Sequence, residues 1–207
     1  MKFWRVCSIA YASCTGAKMR ITPLARMLLA IAAASSCASA QRDFTAEVFN
    51  YSGASRSVIS TAIETARMAF LSSRIDSRWV VCEREECAET AGSAYIELFV
   101  MPRLRAPLKE HMDFPAGYAM PDAFAHPRAY ALYGAANAVA GRTTRPIGVV
   151  LGCIFVHEIG HLLGLSHQSH GAMRASMEPD DMDRVTMGRA FNSFEARKLR
   201  AAVRAEH

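Results

Sequence analysis

His157-Glu158-Ile159-Gly160-His161-Leu162-Leu163-Gly164-Leu165-Ser166-His167 is the stretch that decides how this 207-residue chain folds. The residues ahead of it, from Pro146, are almost wholly apolar, which predicts a helix over about 146–163 whose body is buried beneath a sheet. Within a helix, positions four apart differ by about 40° around the axis, so His157 and His161 face the same way. Two imidazoles on one face can reach one metal. Gly164 comes three residues later, where a left-handed residue lets the helix stop and the chain turn back at little steric cost. His167 can then approach from outside the helix.

Three neutral imidazoles with one position left open is the arrangement of a catalytic zinc, whereas structural zinc sites fill all four positions with protein groups, usually cysteine. No paired cysteines lie near the histidines. Glu158 stands about 100° round the helix from His157, beside a bound metal rather than on it, and is the candidate general base for an attacking water. At average residue frequencies, three His, one Glu and one Gly at these fixed places arise by chance in roughly one chain of this length in 10⁵.

This run resembles the metzincin clan of zinc metallopeptidases, and its Leu163-Gly-Leu-Ser-His167 ending looks most like the bacterial-type, secreted, matrixin-like branch. The resemblance implies an α+β fold: a mixed twisted sheet over a backing helix and an active-site helix, then a small irregular C-terminal subdomain ending in a helix. It also implies one catalytic Zn²⁺ on His157, His161 and His167, with a protein or peptide substrate. A methionine in a tight turn beneath the metal is expected too. Gly171-Ala172-Met173 is the favoured candidate for it, and Met177-Glu178-Pro179 the alternative. No tyrosine lies two residues beyond either methionine, so a tyrosine ligand is not expected. No cysteine-bearing propeptide motif of the matrixin type occurs.

The rest of the chain is compatible with that order. Phe44–Phe49 alternates as a strand, Ser55 is placed to cap a helix over 57–71, and Ser77–Cys82 reads as a second strand, a strand–helix–strand order that implies a right-handed parallel crossover; Ala94–Met101 reads as a third strand. Residues 102–127 carry five prolines and read as loop, with a short strand near Gly117–Met120, followed by a strand over 128–132. Residues 168–188 read as irregular and 193–204 as a final helix.

Charge placement excludes a nucleic-acid reading. The chain carries 24 Lys and Arg against 19 Asp and Glu. The excess is Lys2, Arg5, Lys18, Arg20 and Arg26, all within residues 1–40, which contain no acid. That leader has the layout of a secretory signal: basic residues, the apolar run Met27–Ala34, then Ala38-Ser39-Ala40, with cleavage expected after Ala40. The run is too short for a permanent membrane anchor, which needs about 20 residues. Met19 is an alternative start, and lipoprotein attachment through Cys37 a minor alternative. A single catalytic domain over 41–207 remains, in a secreted or periplasmic setting. There Cys82 and Cys87 are candidates for a local disulfide, and Cys153 is a small buried residue.

Other ionisable residues attract less. His170 misses the spacing of the third ligand, and His111, His126 and His207 read as solvated. Glu178, Asp180, Asp181 and Asp183 lack the alternating-ligand loop of a calcium site, so a solvated face is expected for them. The chain thus reads as an exported zinc-dependent endopeptidase using Glu158 as base. The alternative is a metzincin-like protein that binds zinc without significant turnover.

Overall fold

Burial of the apolar stretch ahead of the histidines sets the layering of the molecule. The computed structural model describes residues 43–82, 87, 95–103, 116–121 and 126–205. The leader with its signal, Met19 and Cys37, and also His111 and His207, lie outside the described residues. The elements run β1 Phe44–Asn50, α1 Arg56–Ser72, β2 Ser77–Cys82, β3 Tyr95–Met101, β4 Gly117–Met120, β5 Arg128–Leu132, α2 Tyr133–Thr143, α3 Ile147–Leu162, α4 Pro179–Thr186 and α5 Ser193–Ala205. The sheet order is β2-β1-β3-β5-β4, parallel throughout except for β4, which runs antiparallel on β5. This is the mixed sheet of the expected α+β fold, with β4 at one edge and β2 at the other. No helix among the described residues is long and apolar enough to cross a membrane.

Each element follows from its sequence. β1 lies inside the sheet and is buried on both faces, including Thr45 and Glu47. The Ser55 hydroxyl accepts the Val58 N–H at 3.4 Å and starts α1, whose Ile59, Ala62, Ala66, Ala69 and Phe70 form one buried face. α3 is buried almost all round, packed on α1, α2, α4 and the β4–β5 edge. Two glycines make the α1 contact close. A Cβ on Gly152 would stand 2.6 Å from Thr65 Cβ and 2.7 Å from the Ala62 carbonyl, and one on Gly148 would stand 2.7 Å from Thr61 Cβ. Aromatic contacts join the layers: Phe44 meets Phe70 edge-on at 5.2 Å and Trp79 stacks on Phe155 at 6.2 Å. Cys82 and Cys87 form a disulfide. Cys153 is free and buried, and burial pushes its thiol up to about 12.

The structure differs from the sequence reading at three places. α2 was not anticipated, because its only buried residues are Ala136 and Ala140 and no side chain caps its start. Pro146 is the N-cap of α3 rather than a residue of its first turn. The stretch 168–188 is not wholly irregular, since α4 occupies its second half. Two of the acids there are not a solvated face: Asp181 is buried with 3% exposure, and Asp183 pairs with Arg145 at 2.7 Å.

Gly152→Val should lower the unfolding free energy by about 2 kcal/mol or more, because backbone and a β-branched side chain on α1 cannot yield. Gly141→Ala, whose Cβ meets nothing within 4 Å, should instead raise it by about 0.5–1 kcal/mol. Urea unfolding of the two variants checks the contrast.

Candidate metal centre

The last two turns of α3 carry His157 and His161, and the chain beyond them returns His167 to the same point. Nε2 of His161 lies 3.0 Å from Nε2 of His157 and 3.1 Å from Nε2 of His167. Hydrogen bonding fixes the tautomers of the first two. Nδ1–H of His157 donates to the Ala172 carbonyl at 2.7 Å, and Nδ1–H of His161 to the Leu165 carbonyl at 2.9 Å. A neutral imidazole carries one N–H, so these two Nε2 atoms point lone pairs at each other and cannot hydrogen-bond. Burial opposes protonation as the remedy: it pulls His157 down to about 4 and lowers His161 as well, against the smaller opposing effect of each carbonyl. A cation between the three nitrogens resolves the contact, and neutral imidazoles held through the far nitrogen are the donor set that zinc takes. The residues present therefore fit the ion.

Two left-handed glycines build the return path. Gly164, at φ 84°, closes α3, with Gly164 N–H donating to His161 O and Leu165 N–H to Gly160 O, both at 2.9 Å. That closure sets the Leu165 carbonyl against His161. Gly171, at φ 78°, opens a second turn in which Ala172 N–H donates to Ala190 O at 3.1 Å and Gln168 N–H to Met173 O at 2.8 Å. The Ala172 carbonyl held there is the one that orients His157. Met173, next in sequence, is fully buried, and its Sδ would lie 2.5 Å from a Cβ on Gly160. Met177 is half-buried at the margin of the core. Met173 thus lies directly against the helix turn between the two histidines.

Asp181 belongs to this assembly and the sequence reading passed over it. Its Oδ1 accepts the Gly171 N–H at 2.7 Å and its Oδ2 the Glu178 N–H at 3.1 Å, while Arg174 approaches at 3.5 Å. The carboxylate therefore ties the start of α4 to the turn that holds His157. The visible signal was Pro179 preceded by Glu178 and followed two residues later by Asp181, a reciprocal cap with a carboxylate in both roles.

Glu158 is 4% exposed and lies under the edge strand. A Cβ on Gly117 would stand 2.6 Å from its Oε1, so β4 meets the carboxylate with bare backbone. Burial pushes the Glu158 carboxyl up to about 8 in the metal-free protein. His170 is exposed, shares a hydrogen bond with the Ser169 hydroxyl at 3.0 Å, and is not brought to the three histidines. His126 lies against the Tyr95 ring at 4.0 Å.

Asp181→Ala strands the buried Gly171 N–H and removes the carboxylate that caps α4, and should cost about 2 kcal/mol of stability. By freeing the Ala172 carbonyl it should also weaken zinc binding by about tenfold or more, read by competition with a chromophoric chelator. A second expectation concerns the chelated protein. Glu158, raised from 4.5 to about 8, retains in the fold a proton that the unfolded chain loses, so its contribution is full below about 4.5 and lost as pH rises through about 8. His157, depressed from 6.5 to about 4, works oppositely and removes stability as pH falls between those values. Glu158→Gln should flatten only the decline with rising pH between about 4.5 and 8, measured as Tm against pH in EDTA.

Among solved structures, the chain is similar to a zinc-dependent peptidase from Methanocorpusculum labreanum (strain Z), at 17% identity and a TM-score of 0.50, covering 74% of this chain and 99% of that one. It also matches an archaemetzincin from Methanopyrus kandleri at 13% identity and a TM-score of 0.49, over 78% of this chain and 96% of that one. No family model matches the sequence, and no curated protein does. Sheet, buried helix and the likeness to the first of these structures together show that the chain shares that structure's fold.

Proposed function

We propose that this chain is an exported zinc-dependent endopeptidase of the metzincin clan, with His157, His161 and His167 as zinc ligands and Glu158 as general base. The observation that carries the reading is the facing of Nε2 lone pairs at 3.0 Å between histidines whose other nitrogens are committed to carbonyls. A cation held between the three nitrogens would turn that contact into coordination. When bound, zinc lowers the pKa of water to about 7 and polarises a carbonyl for attack.

The chain's own residues do the remaining work. Glu158 needs its carboxylate form to accept a proton from the attacking water, and positive charge at the three nitrogens favours that form over the protonated one that burial alone imposes. The same carboxyl then carries the proton to the departing amine. Its enclosure under β4 keeps bulk water from competing for that proton. Met173 is the methionine we assign beneath the metal, on its contact with Gly160 between the ligands. The Leu163–His167 ending supports the matrixin-like branch, and the leader over 1–40 together with the Cys82–Cys87 disulfide supports export. An edge strand beside the base suits an extended peptide substrate lying along the sheet.

Zinc content and casein cleavage should be measured for the wild type and for Glu158→Ala. The variant should keep its zinc and lose about 10²–10⁴-fold in kcat/KM. Cleavage unchanged by the substitution would remove Glu158 from the mechanism, and zinc-loaded wild type that cuts no peptide would favour a binding role.

A further inference from the structure

We propose a second metal site, built from Glu47, Cys82 and Cys87, which takes a soft divalent cation when the Cys82–Cys87 disulfide is reduced. It does not depend on the peptidase reading. One ligand atom from each of the three residues lies within 4.8 Å of the others. The grouping follows from the sheet. β1 and β2 pair in parallel with Glu47 opposite Val80 and Phe49 opposite Cys82, so Glu47 and Cys82 project from the same face of neighbouring strands. Cys87 returns to within 4.9 Å of Cys82, Cα to Cα. Four intervening residues match the Cys-x₂₋₄-Cys spacing of thiolate zinc sites.

Chemistry selects the ligand. Two thiolates and a carboxylate make an anionic donor set that a divalent cation matches, and Cys82, only 6% exposed, would be costly to hold as a thiolate without one. Thiolate favours zinc and cadmium over magnesium and calcium. The same sulfurs serve two exclusive states. A dithiol gives the disulfide two electrons and two protons, becoming a cyclic disulfide itself. The two cysteine thiols then release two protons as the cation binds. Exchange with a disulfide, which accepts the two electrons and leaves as a dithiol, joins the sulfurs again and removes both thiolates, so the cation must leave. β2 is the edge of the sheet opposite β4, which separates this group from the three histidines.

Cobalt(II) is the probe, added to the full chain carrying Cys7→Ser, Cys14→Ser and Cys37→Ser so that thiols of the leader do not contribute. The oxidised protein should take about one equivalent, without thiolate-to-cobalt charge transfer. Kept reduced by a phosphine, it should take a second equivalent with a near-ultraviolet charge-transfer band. His161→Ala should abolish the first equivalent and leave the band. Cys82→Ser should abolish the band, and Glu47→Gln should weaken the second equivalent about tenfold or more. Equal uptake by oxidised and reduced protein, or a band that survives Cys82→Ser, overturns the proposal. Should Cys82→Ser fail to fold, alkylation of Cys82 and Cys87 in the reduced protein decides by mass spectrometry: cadmium must slow it, and equal rates overturn the site.

Discussion

α3 is an almost wholly buried helix that must nevertheless end in polar groups, and the structure is arranged around that demand. Its first turns need only close packing, which Gly148 and Gly152 give against α1. Its last two turns bury His157 and Glu158, two groups whose burial is costly unless their hydrogen-bonding capacity is met. For His157 the answer is a single backbone carbonyl, Ala172, fifteen residues ahead in sequence. Placing that carbonyl requires Gly171 in a left-handed turn, Asp181 accepting its N–H, and Ala190 accepting the next one. The chain from Gly171 to Ala190 is thus largely a support for one imidazole.

That support is itself anchored twice to the body of the molecule. Arg145, just ahead of α3, pairs with Asp183 on α4, and Arg200 on α5 donates to the Ser73 carbonyl at the end of α1. The Arg145–Asp183 pair is worth little as a part-exposed charge pair, and the Arg200 contact is a hydrogen bond to a neutral carbonyl. Their value lies in geometry, since each joins a short late helix to an early buried one and so limits how far the turn at Gly171 can drift. Asn192 and Glu195 add a reciprocal cap that fixes where α5 begins.

Local features were legible in the sequence and distant partners were not. His157, His161 and Gly164 could be read because their geometry is that of one helix and its termination. The buried body of α3 showed as an uninterrupted apolar run. α2 escaped because Gly134 and Gly141 weaken it as a helix and only Ala136 and Ala140 mark its inner face. Asp181 escaped for a different reason. In sequence it is one of four clustered acids, and only the fold reveals that Gly171, ten positions earlier, presents an N–H to it. The carbonyls that set the histidine tautomers have no side-chain signature at all.

Gly117 shows how narrow the tolerance near Glu158 is. The residue has no functional group, yet its α-carbon occupies the boundary between the sheet edge and the carboxylate, with Glu158 on one side and the Tyr130 carbonyl on the other. Every single-base change of a glycine codon that alters the residue adds at least a Cβ. At this position each such change displaces either a strand or the carboxylate. The site is therefore brittle at a place where no chemistry occurs, and drift in the sequence of β4 is confined to the side chains around a fixed bare point.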